Sequence, residues 1–518
     1  TGRWNVDFAF IAHDRKIICT AADLASIGSV DSAADADAQN RALAVSDRSG
    51  VITGIAGLEA AYNIIAEYGQ SNANGSESWP PLSTAVDAAA GVLMYGNDVR
   101  PSSGDGPAFA PLGGAALNTI KAVVPNGAGG VMTAGEIAAL APGTVALGET
   151  SAISAVIVLR LLTNGTRGED TATDHKFVVI NGGVGGKNIA QLSKVNPVDG
   201  TDRYSRIVNG TDGVMDIVEA MPKTGQVSAL LWIGNESDYL GEASSTGAAG
   251  TRAEVKAALA TLYADYCTDL AARTGQAYPP AMFIVTTGGP YARNVDDSGN
   301  LDPYVNMAHW EFCRETPHAF LAGPYYHVTD KLNHLDANGV RWLGCKVGEA
   351  MHRVLVERRN WEPLAPSKCE RSGAVIRIDF PTETPLRFRP FYRAINNSGG
   401  ALEEVILANK GFYVTTTTGT LLTITSVIIL ETSIVEITLA VTPPGDTLVW
   451  YTRDLGGAAG DGCGNLCNTK LLDPLIAYEY LAGSGMYAVA DIPALVDEPY
   501  DLSDWCIPFM IPDDFVRS

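Results

Sequence analysis

Between about residues 59 and 361 the chain alternates short apolar runs with stretches of helical periodicity. Residues 62–66, 177–180, 229–233, 283–285 and 320–322 are too short for helices and run into Gly, Asn or Pro, so they predict buried strands. Between them, Val255, Leu259, Leu262, Tyr263, Tyr266 and Leu270 fall on one helical face, as do Leu343, Val347, Ala350, Met351, Val354 and Leu355. Buried strands alternating with amphipathic helices predict an α/β, three-layer fold with a mainly parallel sheet, whose ligand site lies beyond the carboxyl ends of the strands. After Pro363 and Pro366 the period changes to two. Ile376, Ile378 and Phe380 alternate with Arg377 and Asp379, and Val435, Ile437 and Leu439 alternate with Glu436 and Thr438. Turn signals at Thr418-Gly419 and Pro444-Gly445-Asp446 complete the picture of an all-β, sandwich-like module. The expected organisation is an attachment or docking region over residues 1–58, an α/β domain over 59–365 and the β-rich domain over 366–518.

Composition narrows the partners. A chain with 46% hydrophobic and 18% charged residues, 54 Gly and 27 Pro is globular and rich in turns, which excludes a coiled coil. The net charge of −22 repels phosphate backbones and anionic lipid, so nucleic acid is not an expected partner. Arg160 breaks the apolar run at 152–162, and Glu431 and Glu436 break that at 421–441, short of the roughly 18 residues a membrane helix needs. No membrane insertion is expected, and Thr1-Gly2-Arg3-Trp4-Asn5 does not open a signal peptide. Eight cysteines are too sparse for a disulfide framework. Cys463-Gly-Asn-Leu-Cys467 lacks a second pair at ligand spacing, so no metal site is expected.

Four segments carry candidate chemistry. The first strand ends in Gly69-Gln70-Ser71-Asn72-Ala73-Asn74-Gly75, where a serine between glycines can be presented as a nucleophile at a sharp turn. The same letters also describe a turn whose Ser and Asn cap the next helix. The second strand runs into Asn181-Gly182-Gly183-Val184-Gly185-Gly186-Lys187-Asn188. A phosphate loop would need Gly at 181 and Ser or Thr at 188, so an oxyanion-binding turn fits these glycines better. The third delivers Trp232-Ile233-Gly234-Asn235-Glu236-Ser237-Asp238, in which Asn235 is a candidate amide donor or a helix cap. The fourth carries Asp330 and His334 just before the last helix, with His334 as candidate general base and His327 as its rival. Trp79, Tyr204 and Trp310 are aromatics that either line a glycan groove or belong to the core.

The order of these blocks resembles the SGNH (GDSL-like) hydrolase superfamily. More narrowly, Gly69-Gln70-Ser71-Asn72 is similar to the Gly-Gln-Ser-Asn block of sialate O-acetylesterase-like carbohydrate esterases, and residues 232–238 are similar to their Trp-x-Gln-Gly-Glu-Ser-Asp block. Gly148-Glu149-Thr150 looks like a further family element. The resemblance implies Ser71 as nucleophile, His334 as base oriented by Asp330, and an oxyanion hole from Gly186 and Asn235, with Gln70, Asn72 and Glu236 at the substrate. No cofactor or metal is implied. Two positions depart from the pattern: the family's Gln falls on Gly234, with Asn235 where Gly is usual, and Asp330 to His334 is one residue longer than the family spacing. Gly411-Phe412-Tyr413-Val414, Gly464-Asn465-Leu466 and Trp505-Cys506-Ile507-Pro508-Phe509 resemble β-domains of bacteriophage tail and receptor-binding proteins. That implies a virion location, an acetylated polysaccharide as substrate, other virion proteins as partners and a homo-trimer. The alternatives are a secreted bacterial enzyme, or a non-catalytic glycan-binding or structural virion protein with a degenerate fold.

Overall fold

The computed structural model describes residues 33–517 except 142, 168–174, 195–198, 240–246, 289–290, 332–333, 395–401, 455–461, 471–475 and 481–491. The five predicted runs all fall in one seven-stranded sheet, made of β1 (Tyr62–Gly69), β2 (Val92–Tyr95), β3 (Leu117–Thr119), β4 (Lys176–Asn181), β5 (Gly225–Ile233), β6 (Ala281–Thr286) and β7 (Ala319–Pro324). The order is β3-β2-β4-β1-β5-β6-β7, parallel throughout except for the β2–β3 pair. β2 and β3 are the strands that the run pattern did not mark, because four and three residues carry too little periodicity to register.

The helices that matter to the site are α1 (Ala33–Ser49), α2 (Ser71–Asn74), α3 (Ser151–Arg167), α4 (Tyr204–Ala220), α5 (Arg252–Thr274), α6 (Tyr304–Glu315) and α7 (Ala337–Met351). Successive strand side chains point to opposite faces, and both faces are apolar, as a parallel sheet covered by helices requires. Ile65, Val179, Leu231 and Phe283 pack under α3 and α7, while Ile64, Val178, Leu230 and Ile284 pack under α4, α5 and α6. α3 and α7 approach closely because Gly344 and Gly348 offer no side chain. A Cβ on either would lie within 2.5 Å of an α3 carbonyl oxygen.

The C-terminal region is antiparallel. One four-stranded sheet joins Leu421–Leu422, Phe412–Thr416, Thr447–Tyr451 and Phe509–Pro512, and another joins Ile424–Leu430, Ile434–Leu439, Val375–Asp379 and Lys368–Ser372. Their inward residues, among them Ile376, Val414, Ile437, Val449 and Ile511, share one core with the α4–α6 side of the parallel sheet. α1 lies against this module. Asn40 donates to Ser433 Oγ at 3.0 Å, Asp37 accepts from Thr432 N–H at 2.9 Å and Arg48 meets Asp504 at 2.8 Å. The described end of the expected docking region is therefore packed into the molecule, and its apolar run at residues 8–11 lies outside the described residues.

Candidate active site

β1, β4 and β5 are neighbours, so the first three sequence blocks open side by side at one edge of the sheet. The β1 end is tied to β5 at Gly69, whose φ of +143° and close approach both demand glycine: a Cβ there would sit 1.8 Å from Ile233 O. Gln70 N–H donates to Ile233 O at 3.0 Å, and its side-chain oxygen accepts from Ser237 N–H at 3.0 Å. Ser71 then opens α2, a single turn closed by Gly75 in the left-handed region at φ +76°. As the first residue of that turn, Ser71 has a backbone N–H with no acceptor inside the helix.

Asn72 connects this turn to the far side of the site. Its amide donates to Glu236 Oε1 at 2.9 Å, Tyr325 O–H donates to the same oxygen at 2.8 Å, and Leu335 N–H reaches Asn72 Oδ1 at 3.4 Å. The neighbours of Ser71 and His334 thus touch each other. Of the residues expected at the substrate, Asn72 and Glu236 hold each other and Gln70 holds the Ser237 backbone, and Glu236 Oε2 has no hydrogen-bond partner among the described residues.

The imidazole of His334 meets a carboxylate that the sequence did not point to. Glu77 Oε2 lies 2.5 Å from His334 Nδ1, and Glu77 is 3% exposed. The Asp330 backbone bridges that of Leu335 across the base of the loop that carries His334. Glu77 adopts φ +63°, an uncommon conformation for a side chain of this size, so the surroundings must hold it. Its N–H donates to Ala146 O at 2.9 Å, and Lys331 Nζ donates to Glu77 O and, at 3.0 Å, to Trp79 O. Burial pushes the Lys331 ammonium down to about 8, against the pull of Asp336 and Glu77. No local pattern marks Glu77. The loop that carries it packs tightly against residues 148–149, where a Cβ on Gly75 or Gly148 would fall about 2 Å from a carbonyl oxygen of the other segment.

The glycine turn and the third block differ from the expected oxyanion hole. Gly186 is exposed, with φ +69°, and Gly185 before it is the glycine that faces the serine: its Cβ direction points to within 3.8 Å of Ser71 Cβ. Asn235 does not offer a donor to the site. It is fully buried, its Oδ1 accepts from Trp232 Nε1 at 2.8 Å and faces His309 Nε2 at 2.9 Å, and its amide donates to Asp238 at 2.9 Å. Asn235 stands at φ +77°, where the resembling family has Gly and where Asn is the residue type best tolerated in its place. At Gly234 the Trp232 ring fills the space a side chain would need, 2.9 Å from the Cβ direction. Burial raises Asp238 to about 6 despite donors from Ala249, Ile189 and Asn235, and lowers His309 to about 3.

The remaining candidates belong to the core. His327 is buried against Trp505, with ring centroids 4.5 Å apart, and desolvation holds it well below its usual range. Trp79, Tyr204 and Trp310 are no more than 2% exposed, so they do not line an open groove. A cavity of about 630 Å³ opens in the C-terminal region among Trp342, Arg389, Tyr392 and Tyr500; Ser71, Glu77 and His334 do not line it, so cavity size does not locate this site.

No family model and no curated protein matches the chain. Among solved structures, a carbohydrate acetylesterase from Xanthomonas citri is 13% identical with a TM-score of 0.46, covering 87% of this chain and 80% of its own. NanS is 11% identical with a TM-score of 0.36, over 58% of this chain and 99% of its own. A tail fibre protein of an E. coli phage is 13% identical with a TM-score of 0.26, over 76% of this chain and 34% of its own. Likenesses this distant carry no inference about activity, which has to come from the residues around Ser71.

Proposed function

We propose that the chain is a serine esterase that removes O-acetyl groups from a carbohydrate. The observation that carries this reading is the buried Glu77 carboxylate on His334 Nδ1, in the loop that also presents Ser71. With Nδ1 engaged, Nε2 is the nitrogen left to take the Ser71 proton as Oγ attacks the ester carbonyl, and Glu77 stabilises the imidazolium that forms. The Ser71 N–H and the N–H groups of the Gly185–Gly186 turn, which borders Ser71, serve as the backbone donors to the developing oxyanion. His334 then returns the proton to the departing sugar hydroxyl, and water attacking the acetyl-enzyme restores the serine. The carbohydrate as alcohol component rests on the Gly69-Gln70-Ser71-Asn72 resemblance. A bacterial surface polysaccharide, a place on a phage virion and a trimeric state rest on the looser resemblance of the C-terminal segments.

The test is acetate release from 4-nitrophenyl acetate and from an O-acetylated polysaccharide, comparing the native chain with Ser71→Ala. Loss of turnover by at least about 10³-fold in the variant is expected. Equal release by both proteins overturns the esterase reading, and tight glycan binding without release by either points to a glycan-binding protein on a degenerate fold.

A further inference from the structure

We propose that the Asn74 side chain supplies the amide donor of the oxyanion hole that neither position 234 nor Asn235 provides. The inference rests on the esterase reading and names a catalytic residue within it. A tetrahedral oxyanion is stabilised by preformed donors aimed at the oxygen that gains the charge, and a side-chain amide commonly completes a set of backbone N–H groups. Here the third block cannot contribute one: Gly234 has no side chain and no room for one, and the Asn235 amide is held by Asp238 in a fully buried network.

Asn74 lies one turn after Ser71, three residues on, and therefore on the same face of α2. The point to which a Gly185 Cβ would project is 3.6 Å from Asn74 Nδ2 and 3.8 Å from Ser71 Cβ, so amide, serine and glycine turn border one space. Ser76 Oγ donates to Asn74 Oδ1 at 2.8 Å, which leaves Nδ2 toward Gly185, and among the described residues Nδ2 has no partner. The side chain is packed yet reaches the surface, at 9% exposure. Its backbone is fixed from beneath: Arg100, paired with Asp98, donates to Asn74 O at 2.8 Å, and Asn181 donates to Ala73 O at 2.7 Å. An unpartnered donor on a pinned backbone beside the nucleophile meets the requirement for preorganisation.

In the step it serves, the Ser71 Oγ–carbonyl carbon bond forms and the carbonyl π pair moves onto oxygen while the proton passes to His334. Asn74 Nδ2 donates to that oxygen until the bond to the sugar oxygen breaks and the carbonyl re-forms.

Asn74→Ala and Asn74→Asp are assayed on 4-nitrophenyl acetate with thermal melting measured in parallel. Asn74→Asp keeps the acceptor for Ser76 and the shape of the side chain but replaces the donor with an oxygen, so it separates donation from packing. Both variants are expected to lose about 10²–10³-fold in kcat with KM changed less than about threefold, and Asn74→Asp is expected to melt with the native protein. If Asn74→Asp keeps kcat within about threefold of native, the donor is elsewhere and the proposal falls. If the effect lies in KM alone, Asn74 positions substrate and the proposal also falls. Failure of the esterase reading looks different, because turnover is then insensitive to Ser71→Ala.

Discussion

At the scale of single residues, the site turns on which carboxylate serves His334. Glu77 is in contact with Nδ1, whereas the resemblance implies Asp330, so the two make opposite predictions. Glu77→Gln keeps the size and can hydrogen-bond the ring, but it removes the negative charge and favours the wrong tautomer, the change that costs about 10⁴-fold in kcat in a serine triad. We expect a loss of about 10²–10⁴-fold for Glu77→Gln and less than about threefold for Asp330→Asn, measured as kcat on 4-nitrophenyl acetate. The reverse ranking would return the orienting role to Asp330. Ser71, His334 and the glycine turn were legible in the sequence because each follows an apolar strand or precedes a strong helix. Glu77 was not, because its contact with His334 joins two loops 257 residues apart, and no spacing along the chain encodes that contact.

At the scale of elements, the strands were legible where they were long and apolar. What the pattern does not reveal is the ionisable group inside β1. Glu67 is fully buried among donors, accepting from Ser151 Oγ at 2.5 Å and Asn181 Nδ2 at 2.7 Å, shortly before the turn that leads to Ser71. Burial nevertheless dominates and raises it from 4.5 to about 7. A raised carboxyl holds its proton longer folded than unfolded. Its contribution to stability is therefore complete below about pH 4.5 and is lost as the pH rises through 7, by on the order of 3 kcal/mol. Glu67→Gln can preserve both hydrogen bonds, with its amide toward Ser151 and its carbonyl toward Asn181, and cannot titrate. Denaturant unfolding of native and variant chains from about pH 4.5 to about pH 7.5 should show the native stability falling relative to the variant across that window. Parallel curves would mean that Glu67 is ionised throughout.

At the scale of the whole molecule, the C-terminal region and the α/β layer share apolar core rather than meeting across a wet interface. Leu321 of β7 and Tyr326 belong to the same cluster as Ile507 and Phe509, and Tyr326 O–H donates to Cys506 O at 2.6 Å. The charged counterpart of this joint is Asp504. It binds Arg48 of α1 and Lys346 of α7, accepts from Asn468 at 2.9 Å and has Lys470 at 3.5 Å. Burial alone would raise Asp504, but Lys346, Lys470 and Arg48 hold it well below the usual carboxylate range, so its stabilising contribution is present above about pH 4 and lost only in stronger acid. Removing the carboxylate leaves Arg48, Lys346 and Lys470 with only Glu349 and Glu383 to balance them, and deleting one partner of a buried pair costs about 3–5 kcal/mol. Because Asp504 connects α1, α7 and the C-terminal segment, that cost should fall on all three together. Trp232 reports the parallel sheet and Trp450 the β module, both fully buried. Single-tryptophan versions carrying Asp504→Ala should therefore show both probes moving in one transition, shifted to lower denaturant by the same amount. Two separate transitions, with only the Trp450 probe displaced, would mean that the modules unfold independently and that the shared core does not couple them.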